Sequence, residues 1–145
     1  PIGVPGNIFP YITQVAAGVL DKLTIFGNDW PTRDGSAIRD YIHVMDLAEG
    51  HISALKYLVK NNHQIINLNL GTGLGTSVLE LVDTFERVNK INIPFEFSER
   101  RKGDSCKVIA DNSLAISCLD WEPKRTIKEM CLDGWRWQLL NPNGY

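Results

Sequence analysis

The chain is short of the features that mark several classes of protein. Its three cysteines, Cys106, Cys118 and Cys131, stand far apart with no CxxC pair. An odd, scattered set of this kind does not build a disulfide framework and fits a reducing compartment. The longest apolar runs are only a few residues, and Pro1-Ile2-Gly3 has neither the basic start nor the apolar stretch of a signal peptide. These absences predict a cytoplasmic location and no membrane partner. Charge of one sign is also lacking: 15 basic and 17 acidic residues are interspersed to a net charge of -2, which leaves no broad positive field to draw in nucleic acid. The histidines His43, His51 and His63 have no ligand pattern with nearby Cys, Asp or Glu, so no metal is expected. Repeats and low-complexity linkers are missing. An initiator Met is missing too, which predicts residues ahead of Pro1 unless processing removed it.

What is present fits one globular unit. With 43% hydrophobic and 22% charged content over 145 residues, the chain has enough apolar surface for a sizeable core in a single domain, residues 1–145. Pro10 suits the first turn of a helix, where its missing N–H costs nothing, and Ile8, Ile12, Val15, Ala16 and Val19 share a face up to Gly18–Leu20. Leu23 to Phe26 alternates as a short strand before the turn Gly27-Asn28-Asp29, and Ile38 to His43 reads as another extended piece. Asp46 with Glu49 predicts a capping pair for a helix from about Leu47 to Lys60. Ile65 to Leu70 reads as a buried strand, and Ser77 with Glu80 as a second cap ahead of Val78, Leu81, Val82, Phe85 and Val88. Ile93, Phe95 and Phe97 alternate as a strand in which Pro94 demands an edge or a strand start. Asp111 is expected to cap a short helix through Cys118, and Thr126 with Glu129 a last one carrying Ile127, Met130, Cys131 and Trp135. His63 falls in a polar loop. Helices and short strands mixed in this way predict an α/β or α+β fold.

Two charged segments point to a ligand. Arg39-Asp40-Tyr41-Ile42-His43 and, farther on, Arg100-Arg101-Lys102-Gly103-Asp104 each offer guanidinium groups. Each rigid fork donates paired, charge-assisted hydrogen bonds to phosphate oxygens, so two brought together suit a diphosphate. The plainer alternative pairs Arg39 with Asp40 and leaves Arg101 on a solvated loop. The diphosphate requires the two loops to meet; Arg100 and Lys102 are then solvated neighbours. Gly71-Thr72-Gly73-Leu74-Gly75 imitates a dinucleotide fingerprint, but Thr76 stands where the third glycine is needed, so it is taken as a tight turn. Trp121, Trp135 and Trp137 have no accompanying basic groove and are assigned to packing.

Phe26-Gly27-Asn28-Asp29, the run from Arg39 to Ala48, Asn69-Leu70-Gly71-Thr72-Gly73 and the closing Trp135-Arg136-Trp137-Gln138 resemble the UDP-glucose 4-epimerase family of extended short-chain dehydrogenases/reductases. The resemblance runs almost end to end, from Val4-Pro5-Gly6-Asn7 to Asn141-Pro142-Asn143-Gly144-Tyr145. It covers the carboxy-terminal, substrate-holding part of that enzyme and so implies a fragment without the amino-terminal NAD-binding domain. It implies that Arg39 and Arg101 hold the pyrophosphate of a UDP-sugar and that Asp104 accepts from ribose hydroxyls. It further implies that main-chain groups of Thr24, Ile25 and Phe26 read the uracil edge, that Asn7 and the Ile8 amide approach the diphosphate, and that Val78 lies near the nucleotide. Val108 matches the position that borders the sugar, where a residue smaller than Tyr leaves room for an N-acetyl group. Gly6 departs from the family's Asn.

In the family, hydride passes from C4 of the sugar to NAD and returns to the other face of the keto intermediate. The base is a Tyr whose phenol pKa is lowered by a Lys four residues later. Here Val15, Met45 and Asn61 follow Tyr11, Tyr41 and Tyr57 at that spacing, and Tyr145 is terminal. No catalytic residue is therefore expected in this chain, which alone should be inactive. The intact enzyme is expected to interconvert UDP-glucose and UDP-galactose in galactose metabolism, with a homodimer as one expectation. The alternatives are the lobe of another nucleotide-sugar reductase, a dehydratase or decarboxylase, and a truncated UDP-binding regulatory module.

Overall fold

A computed structural model describes residues 5–61, 65–142 and 144. Val4, His63, Asn143 and Tyr145, named above in motifs and a loop, lie outside the described residues. Helices and short strands alternate as α1 (Ile8–Ala16), β1 (Leu23–Phe26), β2 (Ile38–Arg39), α2 (Val44–Lys60), β3 (Thr76–Ser77), α3 (Val78–Asn89), β4 (Phe95–Ser98), β5 (Lys107–Val108), α4 (Ser113–Leu119) and α5 (Ile127–Leu140). This is the mixed architecture expected. β1 lies parallel to β4, with Leu23 opposite Phe95. β2 sits between antiparallel β3 and parallel β5, so that Arg39 faces Thr76 on one side and Val108 on the other.

The main core joins α1, β1, α3 and α5 through Ile12, Leu23, Leu81, Phe85 and Cys131. Phe85 meets Phe9 and Trp135 edge to face, with ring centroids 6.3 and 6.1 Å apart. Burial pushes the Cys131 thiol up to about 12, which leaves it a small apolar residue at neutral pH. A second cluster packs Ala115 and Leu119 of α4 and Trp121 against Ala54 and Tyr57 of α2. Among the described residues no helix is long and apolar enough to cross a membrane.

Several local signals hold. Ser77 with Glu80 and Thr126 with Glu129 are reciprocal capping boxes, and β4 begins directly after Pro94. Trp121 is buried as a packing residue. Ser77 is also fully buried, and its hydroxyl donates to Asp34 while accepting from the Glu80 amide at 3.1 Å. Ser77→Ala is expected to cost about 2 kcal/mol, near the upper end for a cap, against about 1 for Thr126→Ala at its exposed site. Denaturant titration of the full-length protein checks this, and equal losses would contradict the buried role given to Ser77.

Other expectations are corrected. α1 begins at Ile8, ahead of Pro10, and Gly18 at φ +70° turns the chain away, so Val19 is 62% exposed instead of lying on the helical face. Of Ile38 to His43 only β2 is a strand. α2 begins at Val44, and its cap is His43, whose Nδ1 accepts from the Met45 amide at 3.1 Å. Asp46 and Glu49 turn instead to the Arg125 guanidinium, a charged partner that outcompetes a backbone amide. Residues 65–70 form no strand, because none of the described strands lies alongside to take their N–H and C=O groups. Ile65 is 98% exposed, although Leu68 and Leu70 do pack beside Trp121. Asn112, not Asp111, holds the cap position of α4; Asp111 accepts from the Ser113 amide and hydroxyl just outside it. Strand β5 was not foreseen.

Candidate functional site

Arg39 ends β2, and its Nη1 donates to the carbonyls of Ile38 at 2.8 Å and Ser105 at 2.9 Å. Those bonds fix the guanidinium across the loop that follows β4. Its Nη2 lies 4.0 Å from Asp104 Oδ1, while Arg101 Nε donates to Asp104 Oδ2 at 3.0 Å. One carboxylate is thus bracketed by both guanidinium groups, and the loops meet. The three side chains are partly solvated, at 26%, 54% and 22% exposure for Arg39, Arg101 and Asp104. Such pairs stabilise by only about 0 to 1 kcal/mol, so an incoming anion with more oxygens can engage the same forks. Asp40 does not pair with Arg39. Its carboxylate faces the glycine turn.

Arg101 also lies 4.7 Å above the Phe26 ring, which links the charged cluster to β1. On β1, the Leu23 amide donates to Pro94 and the Gly27 amide to Ser98. By the two-residue alternation of a strand, the N–H and C=O of Thr24 and Phe26 face the opposite edge, where no further described strand pairs. A donor and acceptor pair is presented there. The Trp30 indole reaches the Phe26 carbonyl at 3.4 Å, which still leaves that oxygen a second lone pair. The Ile25 side chain is buried, and its peptide groups belong to the β4 side.

On the other side of Arg39 opens a cleft of about 390 Å³ lined by Arg39, Asp40, Asn69, Gly71, Val108 and Asp111, among others. Val108 is 53% exposed and borders this cleft, so it does not fill a core. The remaining candidates are less central. Asn7 caps α1 by position without a side-chain bond, and Ile8 packs on the main core. Val78 packs there as well, and its amide donates to the Ala37 carbonyl. No hydrogen bond or ion pair among the described residues brings these three to the arginines. Arg100 is not a free solvated neighbour: it donates to Asp29 Oδ1 at 2.7 Å and lies 4.0 Å over Trp30. Burial pushes the Tyr41 phenol up to about 12, with Arg39 acting in the opposite direction, which favours its protonated form at neutral pH.

Asp40 escaped the sequence reading. The available signal was the turn Gly71-Thr72-Gly73 itself, whose converging amides need an acceptor. The amides of Thr72 and Gly73 donate to Asp40 at 2.9 and 3.0 Å. The anion of this turn is therefore a protein carboxylate, and the turn does not fit the pyrophosphate of NAD.

The chain folds as an α/β lobe with two arginines gathered beside an open strand edge, and residues 2–133 match the family described as GDP-mannose 4,6 dehydratase. The chain belongs to that family. Several proteins similar to it carry a narrower name. The UDP-glucose 4-epimerase of Bacillus subtilis (strain 168) is 52% identical over 145 residues, all of this chain and 42% of the relative. The UDP-glucose 4-epimerase of Bifidobacterium longum, solved with NAD+ and UDP, aligns with a TM-score of 0.94 at 40% identity, covering 100% of this chain and 43% of that one. That of Stenotrophomonas maltophila, solved with NAD and formylated UDP-arabinopyranose, gives 0.91 at 47% identity over 97% and 41%. The chain thus spans about two fifths of the length of the proteins it matches.

Proposed function

We propose that this chain is the UDP-sugar-holding domain of a UDP-glucose 4-epimerase, which interconverts UDP-glucose and UDP-galactose at C4. The observation that carries this reading is the bracketing of Asp104 by Arg39 and Arg101, with Arg101 over Phe26 at the open edge of β1. In this reading the two forks hold the diphosphate and Asp104 turns to the ribose hydroxyls as the phosphates take its place on the arginines. Thr24 and Phe26 offer main-chain groups to the uracil edge, with Ile25 holding the strand in place. Asn7, Ile8 and Val78 approach the nucleotide in the bound state, and the sugar lies beside Val108. NAD and the Tyr/Lys base are supplied from outside these 145 residues, so the chain alone binds weakly and turns nothing over. The setting is cytoplasmic and the intact enzyme a homodimer.

The test is turnover by the full-length protein. Conversion of UDP-galactose to UDP-glucose is expected, and its absence under conditions where NAD is bound would refute the activity. Because Val108 is short and borders the cleft, UDP-N-acetylgalactosamine is expected to turn over as well. Turnover of the first substrate with none of the second would remove Val108 as the source of a roomy pocket.

A further inference from the structure

The cleft beside Arg39 is built from three stretches of chain, residues 39–40, 69–71 and 108–111. One side chain ties all three together. Through Oδ1, Asp40 accepts from the Thr72 amide at 2.9 Å and the Thr72 hydroxyl at 2.5 Å. Through Oδ2 it accepts from the amides of Gly73 at 3.0 Å and Ala110 at 3.2 Å. Hydrogen bonds to an ionised carboxylate are charge-assisted and stronger than neutral ones. The walls are correspondingly close: a Cβ on Gly71 would stand 2.5 Å from Ala110 Cβ and 2.6 Å from Asp40 Oδ2. A single carboxylate therefore sets the separation of the cleft's walls without pointing its charge at Arg39.

We propose that Asp40 is a positioning residue that fixes the width of the sugar end of the site and so governs affinity for the sugar moiety, leaving the nucleotide end untouched. The inference rests on the proposed function for the direction in which the ligand lies. Contacts run in sequence from Phe26 to Arg101, across Asp104 to Arg39, and from Arg39 into the cleft with Val108. A nucleotide sugar with its base on β1 and its diphosphate on the arginines places its sugar in the space that Asp40 spans. Loosening the clamp withdraws wall contacts from the sugar while the base and the first phosphate keep theirs.

Calorimetric titration of the full-length protein with UMP and with UDP-glucose tests this. Asp40→Asn keeps the shape but turns one acceptor oxygen into an NH₂ donor that faces amide donors. UDP-glucose affinity is expected to fall at least about tenfold, while UMP affinity stays within about twofold. In turnover, kcat/KM is expected to fall more than kcat, a split that general loss of folded protein would not produce. UMP and UDP-glucose weakening together, or UDP-glucose binding unchanged, would overturn the proposal. Should Asp40→Asn fail to fold, Thr72→Val removes one hydroxyl donor and keeps the amides. The same selective loss, about threefold, is then expected, and an unchanged ratio of the two affinities overturns the proposal. A wild-type protein that binds neither nucleotide would instead strike the proposed function, which separates the two failures.

Discussion

Arg39→Ala and Arg101→Ala are each expected to weaken UDP binding to the full-length protein by about 1.5 to 3 kcal/mol, roughly ten- to a hundredfold, while NAD stays bound. The two losses should not be independent. Both guanidinium groups share Asp104, so removing one leaves the carboxylate to the other and lowers that arginine's freedom to meet a phosphate. Removing both leaves an uncompensated negative charge where the diphosphate would lie. The double variant is therefore expected to differ from the sum of the singles, a coupling a double-mutant cycle measures directly. Arg39→Lys should recover little, because a single ammonium cannot span the carbonyls of Ile38 and Ser105 and a phosphate oxygen together. Calorimetry with UDP reads these effects, and UDP affinity unchanged in both alanine variants would remove the arginines from the site.

The second large effect lies away from the ligand. Asp46 is fully buried at the start of α2, accepting from the amides of Lys124 at 3.1 Å and Arg125 at 2.8 Å and from the Arg125 guanidinium. The Trp121 indole also donates to its carbonyl at 3.0 Å, so one residue ties α2 to the segment between α4 and α5. Burial by itself would raise the Asp46 pKa, but the hydrogen bonds from Arg125 and Lys124 outweigh it and hold the carboxyl below its ordinary value. Asp46→Asn is expected to cost about 3 kcal/mol. That is the lower end for breaking a buried pair, because the Arg125 side chain is 30% exposed and water relieves it. A folded-state pKa below the unfolded one contributes stability at neutral pH that is lost as pH falls through the folded-state value. The difference between wild type and variant should thus be constant near neutrality and shrink in acid below about pH 4. Denaturant midpoints across that range decide it, and a loss under about 1 kcal/mol would show that the clamp carries little.

The two positions also show what was legible in the sequence. Ser77 with Glu80 and Thr126 with Glu129 were readable because both partners lie within one turn, where nothing distant competes. Asp46 with Glu49 has the same spacing, yet Arg125, 79 residues away from Asp46, takes both carboxylates. A local pattern could not foresee that. Strand β5 escaped for the same reason, since its two residues carry no periodicity and exist as a strand only beside Ile38 and Arg39. The apolar run of residues 65–70 was legible, but a strand is a property of a pair, and no described neighbour completes it. Arg39, Arg101, Asp104 and Val108 could be named as candidates because charge and motif travel with the residue, and the structure gathers the first three and sets Val108 on the cleft beside Arg39. Asp40 was missed because its acceptors' partners, Thr72 and Ala110, lie 32 and 70 positions away.

The orientation of β1 has an evolutionary corollary. If the nucleobase is read by the peptide groups of residues 24 and 26, side-chain changes at Thr24 are almost invisible to base recognition, and divergence there would say nothing about a change of base. Proline is the exception, since it alone deletes the N–H. A homologue with proline at either place should have surrendered uridine selectivity while keeping its arginines.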